Sequence, residues 1–286
     1  MANFDYVAGI KRIPTQVEPL DEEADVPIRH YRRLANDAFS LLAYVDRNLA
    51  RAGKTYEAPR ERHRRHLCRL VLIDLVEAFE RFLKELAAVC VDHVSPLVAD
   101  SRFDIFPVPK GVALAQHFAA RTWGRALCES ATWLDCGDAN DRFRRILADP
   151  FTPGDFYVFP MSKGQQPAAL ADRHELVTLV FQLRNAAVHN AGVITESDAA
   201  KLRVLSRGPV EAPRLLVPSR LDVYSVKLYL DETAKLINAE VATRLATLLE
   251  TKLRTADPAY DVPAQAKRLA VAFNQPITMG AVTATP

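Results

Sequence analysis

An all-α fold is the architecture this sequence predicts, on three grounds. Glycine is sparse, at 10 of 286 residues, while alanine, leucine, arginine and glutamate recur throughout, a balance that favours long helices over turn-rich sheets. Several long segments repeat apolar residues at helical spacing. With 49% apolar and 25% charged residues, the chain can bury a sizeable core without disulfides or structural metals.

The elements follow in order. Residues 1–25 mix Pro14, Pro19 and an acidic run and read as an irregular arm. A first helix is expected over 26–50, with Leu34, Phe39, Leu41, Leu42 and Val45 as core contacts. After a turn at Gly53 and Pro59, a second helix spans 61–94, apolar over most of its circumference and therefore buried on more than one side. Prolines and Gly111 precede a third helix, 112–132, and a shorter one, 139–148. Six prolines and glycines make 149–168 a loop, and long ordered loops are often functional.

The next helix begins near residue 169 and ends by Gly192, a residue suited to closing a helix in the left-handed conformation. Leu176, Val180, Leu183 and Ala187 form one stripe, expected to face the core. Thr178, Asn185 and His189 lie roughly opposite. Val177, Phe181 and Val188 form a second apolar group with Arg184 at its edge, so this helix needs two covers, the second being another helix or a second copy of the chain. A short helix follows, capped at Thr195 or Ser197. Pro209, Pro213 and Pro218 form a rigid connector. The long helix 219–255 buries Val223, Val226, Leu230, Ala234, Ile237, Val241, Leu245 and Leu248. One helical domain over 26–258, with its core at about 60–250, leaves 259–286 as a tail with a short helix and a floppy end.

Net charge is +2, which by itself implies no nucleic-acid partner. Charge is clustered instead. Arg60, Arg62, Arg64, Arg65 and Arg69, with His63 and His66, form the densest basic run, suited to guiding RNA phosphates if it is more than a solvated helix face. Arg142, Arg144 and Arg145 form a second run. Cys68, Cys90, Cys128 and Cys136 lack metal-ligand spacing, as do His93, His117 and His174, so no metal or other cofactor is expected. No apolar leader begins the sequence, and no stretch of about 18 uninterrupted apolar residues offers a membrane span. A soluble cytoplasmic protein is the expectation. Phosphate-cradling glycine loops, nucleophile elbows and zinc frameworks are not found.

The polar cluster at 183–192, LRNAAVHNAG, carries the most chemistry. Cleaving a phosphodiester in RNA requires removal of the 2′-hydroxyl proton, and histidine titrates near neutrality. It also requires positive charge at the phosphorus, where arginine's forked donors match phosphate oxygens. His189 suits the acid/base role and Arg184 the phosphate clamp. Asn185, four residues before His189, shares its face and can orient the imidazole. Arg184 and His189 are five residues apart, about 140° around the helix, and do not share a face. Two copies related by a twofold axis would bring the groups together.

The stretch RNAAVHNAG resembles the R-x4–6-H motif of HEPN-superfamily ribonucleases, including the frequent asparagine directly after the arginine. The segment 74–86, DLVEAFERFLKEL, is similar to the amphipathic opening helix of the branch that includes RiboL-PSP-type proteins. The resemblance implies an all-α HEPN-like helical bundle, here with extra helices, and a homodimer whose two motifs form one site. It also implies metal-independent RNA cleavage by 2′-hydroxyl attack, in a toxin or antiphage effector with a possible antitoxin or defence-system partner. Arg184, Asn185 and His189 occupy the motif positions, and acidic residues on the earlier helix, Glu77 or Asp74, would approach the site and position them. The simpler expectation for Glu77 is an i,i+4 pair with Arg81. Some family toxins carry a modifiable tyrosine two residues after the histidine; Ala191 stands there. Arg60 and His66 also satisfy the bare spacing. The alternative reading is a non-catalytic helical module that binds RNA, a nucleotide or a protein partner through the same surface.

Overall fold

The computed structural model describes residues 11–16, 26–49, 57–98, 100–106, 122–129, 131–147, 156–160, 168–256 and 261–286. The architecture is all-α, with two small antiparallel strand pairs. Four helices carry the main core: α1 (Pro27–Leu49), α2 (Glu57–Val94), α5 (Ala168–His189) and α7 (Arg220–Ala256). Between them lie α3 (Trp123–Glu129), α4 (Cys136–Leu147) and α6 (Glu196–Ser206), and α8 (Val262–Phe273) follows α7. No helix among the described residues is long and apolar enough to cross a membrane.

Helix α1 buries Ile28, Tyr31, Ala35 and Leu42. Leu34 and Phe39 sit at the edge of this stripe and Leu41 turns outward, so the core face starts earlier than the sequence suggested. The Tyr31 ring packs between Phe79 and Phe82 of α2, and its hydroxyl donates to Asp231 of α7. Helix α2 starts four residues before the expected boundary, since Pro59 falls in the first turn, where a missing N–H costs nothing. From Val71 to Val91 it buries side chains over most of its circumference, leaving Asp74, Glu77 and Arg81 on one exposed polar side.

Residues 107–121 and 130 lie outside the described residues, and of the expected helix 112–132 residues 123–129 form helix α3. It crosses α2 so closely that a Cβ at Gly124 would collide with the Ala88 carbonyl. Asp135 caps α4 by accepting from the Asp138 backbone N–H. Buried Trp133 packs edge-on against Phe143 beneath the Arg142 guanidinium. Arg142 is thus a core contact rather than part of a free basic face. Of the expected loop 149–168, only 156–160 is described; the Asn140 side chain bonds both backbone groups of Phe159 there. The expected arm lies mostly outside the described residues.

Helix α7 buries Val223, Leu230, Ala234, Ile237, Val241, Leu245 and Leu248, while Val226 is half-buried at the margin of the stripe. The segment after α8 is not floppy. Strands β3 (Ile277–Met279) and β4 (Val282–Ala284) form an antiparallel hairpin, and alternation puts Ile277 and Met279 into the core with Thr278 outside. Gly280 takes a positive φ at the turn, a conformation that favours glycine.

Candidate functional site

Contacts between α2 and α5 run in opposite senses along the two chains: Arg69 meets Ala191, Glu77 meets Arg184, and Phe79 meets Phe181. The helices are therefore antiparallel. This direction brings the C-terminal end of α5, with the Arg184 to His189 motif, against the stretch of α2 from Arg69 to Glu77, which adjoins the basic run.

The faces of α5 differ from the expectation. Val177, Val180 and Phe181 enter the main core, whereas Leu176 is exposed. Leu179 and Leu183 pack instead against a satellite cluster of Ile194, Ala199 and Leu202. The second cover of α5 is thus α6 with the strand pair β1 (Val193–Ile194) and β2 (Arg214–Leu215), all from the same chain. The expected proline connector supplies β2, and the Leu216 N–H donates to the Gly192 carbonyl.

Arg184 points toward α2. Its Nη2 lies 3.0 Å from Glu77 Oε1, and its Nη1 donates to Asn185 Oδ1 at 3.3 Å. Its Nε is buried and has no hydrogen-bond partner among the described residues. The Arg184 side chain is 15% exposed and that of Glu77 50%. The local pairing expected for Glu77 does not form: Arg81 bonds Glu85 instead, leaving Glu77 to the interhelical contact. Asp74, one turn earlier and exposed, has its carboxyl held above the usual range by partial burial and by the Glu77 charge. Asn185 orients the guanidinium rather than the imidazole. His189 is exposed in the last turn of α5, beside exposed Val188. Within one chain, Arg184 and His189 stay on different faces, as the helix angle requires.

The helix ends through a tight turn. Ala191 and Gly192 both have positive φ, and Arg69 Nη1 donates to the Ala191 carbonyl at 3.0 Å. A Cβ at Gly192 would strike that guanidinium. Asp198 fastens the turn to α6, accepting from Gln182, Asn190, and the Thr195 backbone and hydroxyl. Thr195 in return accepts from the Asp198 N–H, so Thr195 rather than Ser197 is the cap. Arg69's capping role and the Asp198 hub went unread in the sequence. The only available signal was the Thr195–Asp198 spacing.

Two clefts flank this helix end along α2. A largely basic groove of about 590 Å³ is lined by Arg62, His63, Arg65, His66, Arg69 and Leu215, with Glu61 among them. Part of its charge is internally matched, since Arg65 pairs with Glu61 and the neighbouring Arg64 pairs with Asp46 and Glu61. Arg60 lies at the half-buried start of the same run and does not line the groove. The other cleft, about 780 Å³, holds Arg184 with Asp74, Glu77 and the paired Lys84 and Arg81.

His93 accepts from Gln265 with its basicity lowered by burial. His117 lies outside the described residues. All four cysteines are free and buried; burial pushes the Cys136 thiol up to about 12 against the opposing hydrogen bond from Thr178. Among the described residues, no three histidine, cysteine, aspartate or glutamate side chains are grouped to hold a metal. No family model, curated protein or solved structure matches the chain.

Proposed function

We propose that this chain is a HEPN-type endoribonuclease that cleaves RNA without metal, acting as a homodimeric toxin or antiphage effector. The supporting observation is the junction of α2 and α5. There a guanidinium buttressed by Glu77 and Asn185 precedes an exposed histidine, beside a groove lined with arginines and histidines.

In this reading the basic groove attracts the RNA backbone. A phosphate settles against Arg184, whose donors stabilise the charge that builds up as the phosphorus becomes five-coordinate. His189 accepts the 2′-hydroxyl proton, the 2′-oxygen bonds to phosphorus, and the bond to the 5′-oxygen breaks. The leaving 5′-oxygen takes up a proton from water, giving a 2′,3′-cyclic phosphate and a 5′-hydroxyl, and His189 returns its proton to solvent. Because one chain keeps Arg184 and His189 on different faces, a second copy completes the site.

The test incubates purified protein with RNA in EDTA. Wild type is expected to cleave. H189A and R184A are each expected to lose at least about a hundredfold in rate, with unchanged helical content. Full activity in both variants refutes the proposal. RNA retained without cleavage identifies the non-catalytic module instead.

A further inference from the structure

The Glu77–Arg184 pair is asymmetric. The guanidinium is held by burial and by Asn185, whereas the carboxylate is half exposed. Glu77 also sits one turn from Asp74, whose carboxyl is raised first by partial burial and then by the Glu77 charge. Of the other cations lining this cleft, Arg81 and Lys84 are held by Glu85 and Glu80 on the same helix, and Arg125 is engaged as well. An anion approaching Arg184 therefore meets a guanidinium whose Nη2 is already occupied by a carboxylate, and this is a donor that a phosphate oxygen would use.

We propose that Glu77 is a built-in competitor for the Arg184 anion site, occupying the guanidinium in the free protein and displaced when a phosphodiester binds. This rests on the ribonuclease reading and assigns Glu77 a role opposite to that of a simple support. Partial solvent exposure keeps the pair weak enough to break. Anions that make a single contact fail to displace it, while an RNA strand anchored along the basic groove delivers its phosphate at high effective concentration. The site thus selects polymers over free phosphate.

The experiment measures equilibrium binding of a single-stranded RNA oligonucleotide to four full-length proteins: H189A, E77Q/H189A, R184A/H189A and E77Q/R184A/H189A. The His189 substitution prevents cleavage during the measurement. E77Q is expected to tighten binding about fivefold when Arg184 is present. Without Arg184 the effect should fall below about twofold, because the competition has no object. E77A serves as a second variant and should follow E77Q. Unchanged or weaker binding in E77Q/H189A overturns the proposal, as does equal tightening with and without Arg184. If wild type cleaves RNA while E77Q binding is unchanged, only the competitor role falls; if none of the four proteins binds RNA, the ribonuclease reading falls with it.

Discussion

The Arg184 guanidinium reaches Glu77 through one terminal nitrogen and Asn185 through the other, so its plane is set by two neighbours at once. A lysine at this position would keep a positive charge beside Glu77 but lose the fork that spans carboxylate, amide and phosphate. R184K is therefore expected to fold normally and bind RNA with modest loss, yet cleave at least about a hundredfold more slowly. Single-turnover rates at saturating protein give the measurement; cleavage within a fewfold of wild type shows that charge alone suffices. At this scale the sequence was partly informative. The spacing of Arg184 and His189 and their place at a helix end were readable, because both follow from local periodicity. The partners of Asn185 and Glu77 were not, because helix geometry offers each an equally plausible neighbour on its own helix, and only the antiparallel approach of α5 chooses between them.

The turn after α5 depends on Asp198, which takes four hydrogen bonds from both sides of the junction. Its desolvation alone would raise the carboxyl, but donors from Thr195 and Asn190 outweigh that cost and hold it below the usual carboxylate range. A carboxyl depressed on folding adds stability above its unfolded value, and this is lost as pH falls through the folded value. D198N should therefore be less stable than wild type at neutral pH by about 1–3 kcal/mol. The difference should shrink as pH drops below about 4, as denaturant melts at several pH values would show. A constant difference across that range would mean that the charge of Asp198 contributes nothing. Long elements such as α2 and α7 were legible because many turns of apolar spacing average out local ambiguity. The faces of α5 were misassigned because two separate clusters share its surface. Which leucine belongs to which cluster depends on where α6 returns, information absent from the helix itself.

Across the whole molecule, topology joins what the sequence separates. The basic run and the motif are more than 100 residues apart, yet Arg69 closes the turn that follows His189. The C-terminal hairpin shows the opposite limit: its alternation is only three residues long in each strand, too short to distinguish from irregular chain without the α7 and α8 surfaces that bury Ile277 and Met279. The same global view bears on how many chains make one site. Arg184 and His189 are separated by about 7.5 Å along the helix and about 140° around it, with the arginine turned toward α2 and the histidine toward solvent. In the proposed homodimer, a phosphate held by Arg184 of one chain would be attacked under the control of His189 from the other. In that case R184A and H189A, each inactive as a homodimer, should complement each other. Mixing equal amounts after dissociation yields mixed dimers in about half of the population, each retaining one arginine and one histidine across the interface. Cleavage should return to a substantial fraction of wild type in the mixture and stay absent in either protein alone. Size-exclusion and light scattering would establish that dimers form. If the mixture remains inactive while dimers exchange freely, both groups must come from a single chain, and the twofold arrangement of the site is wrong.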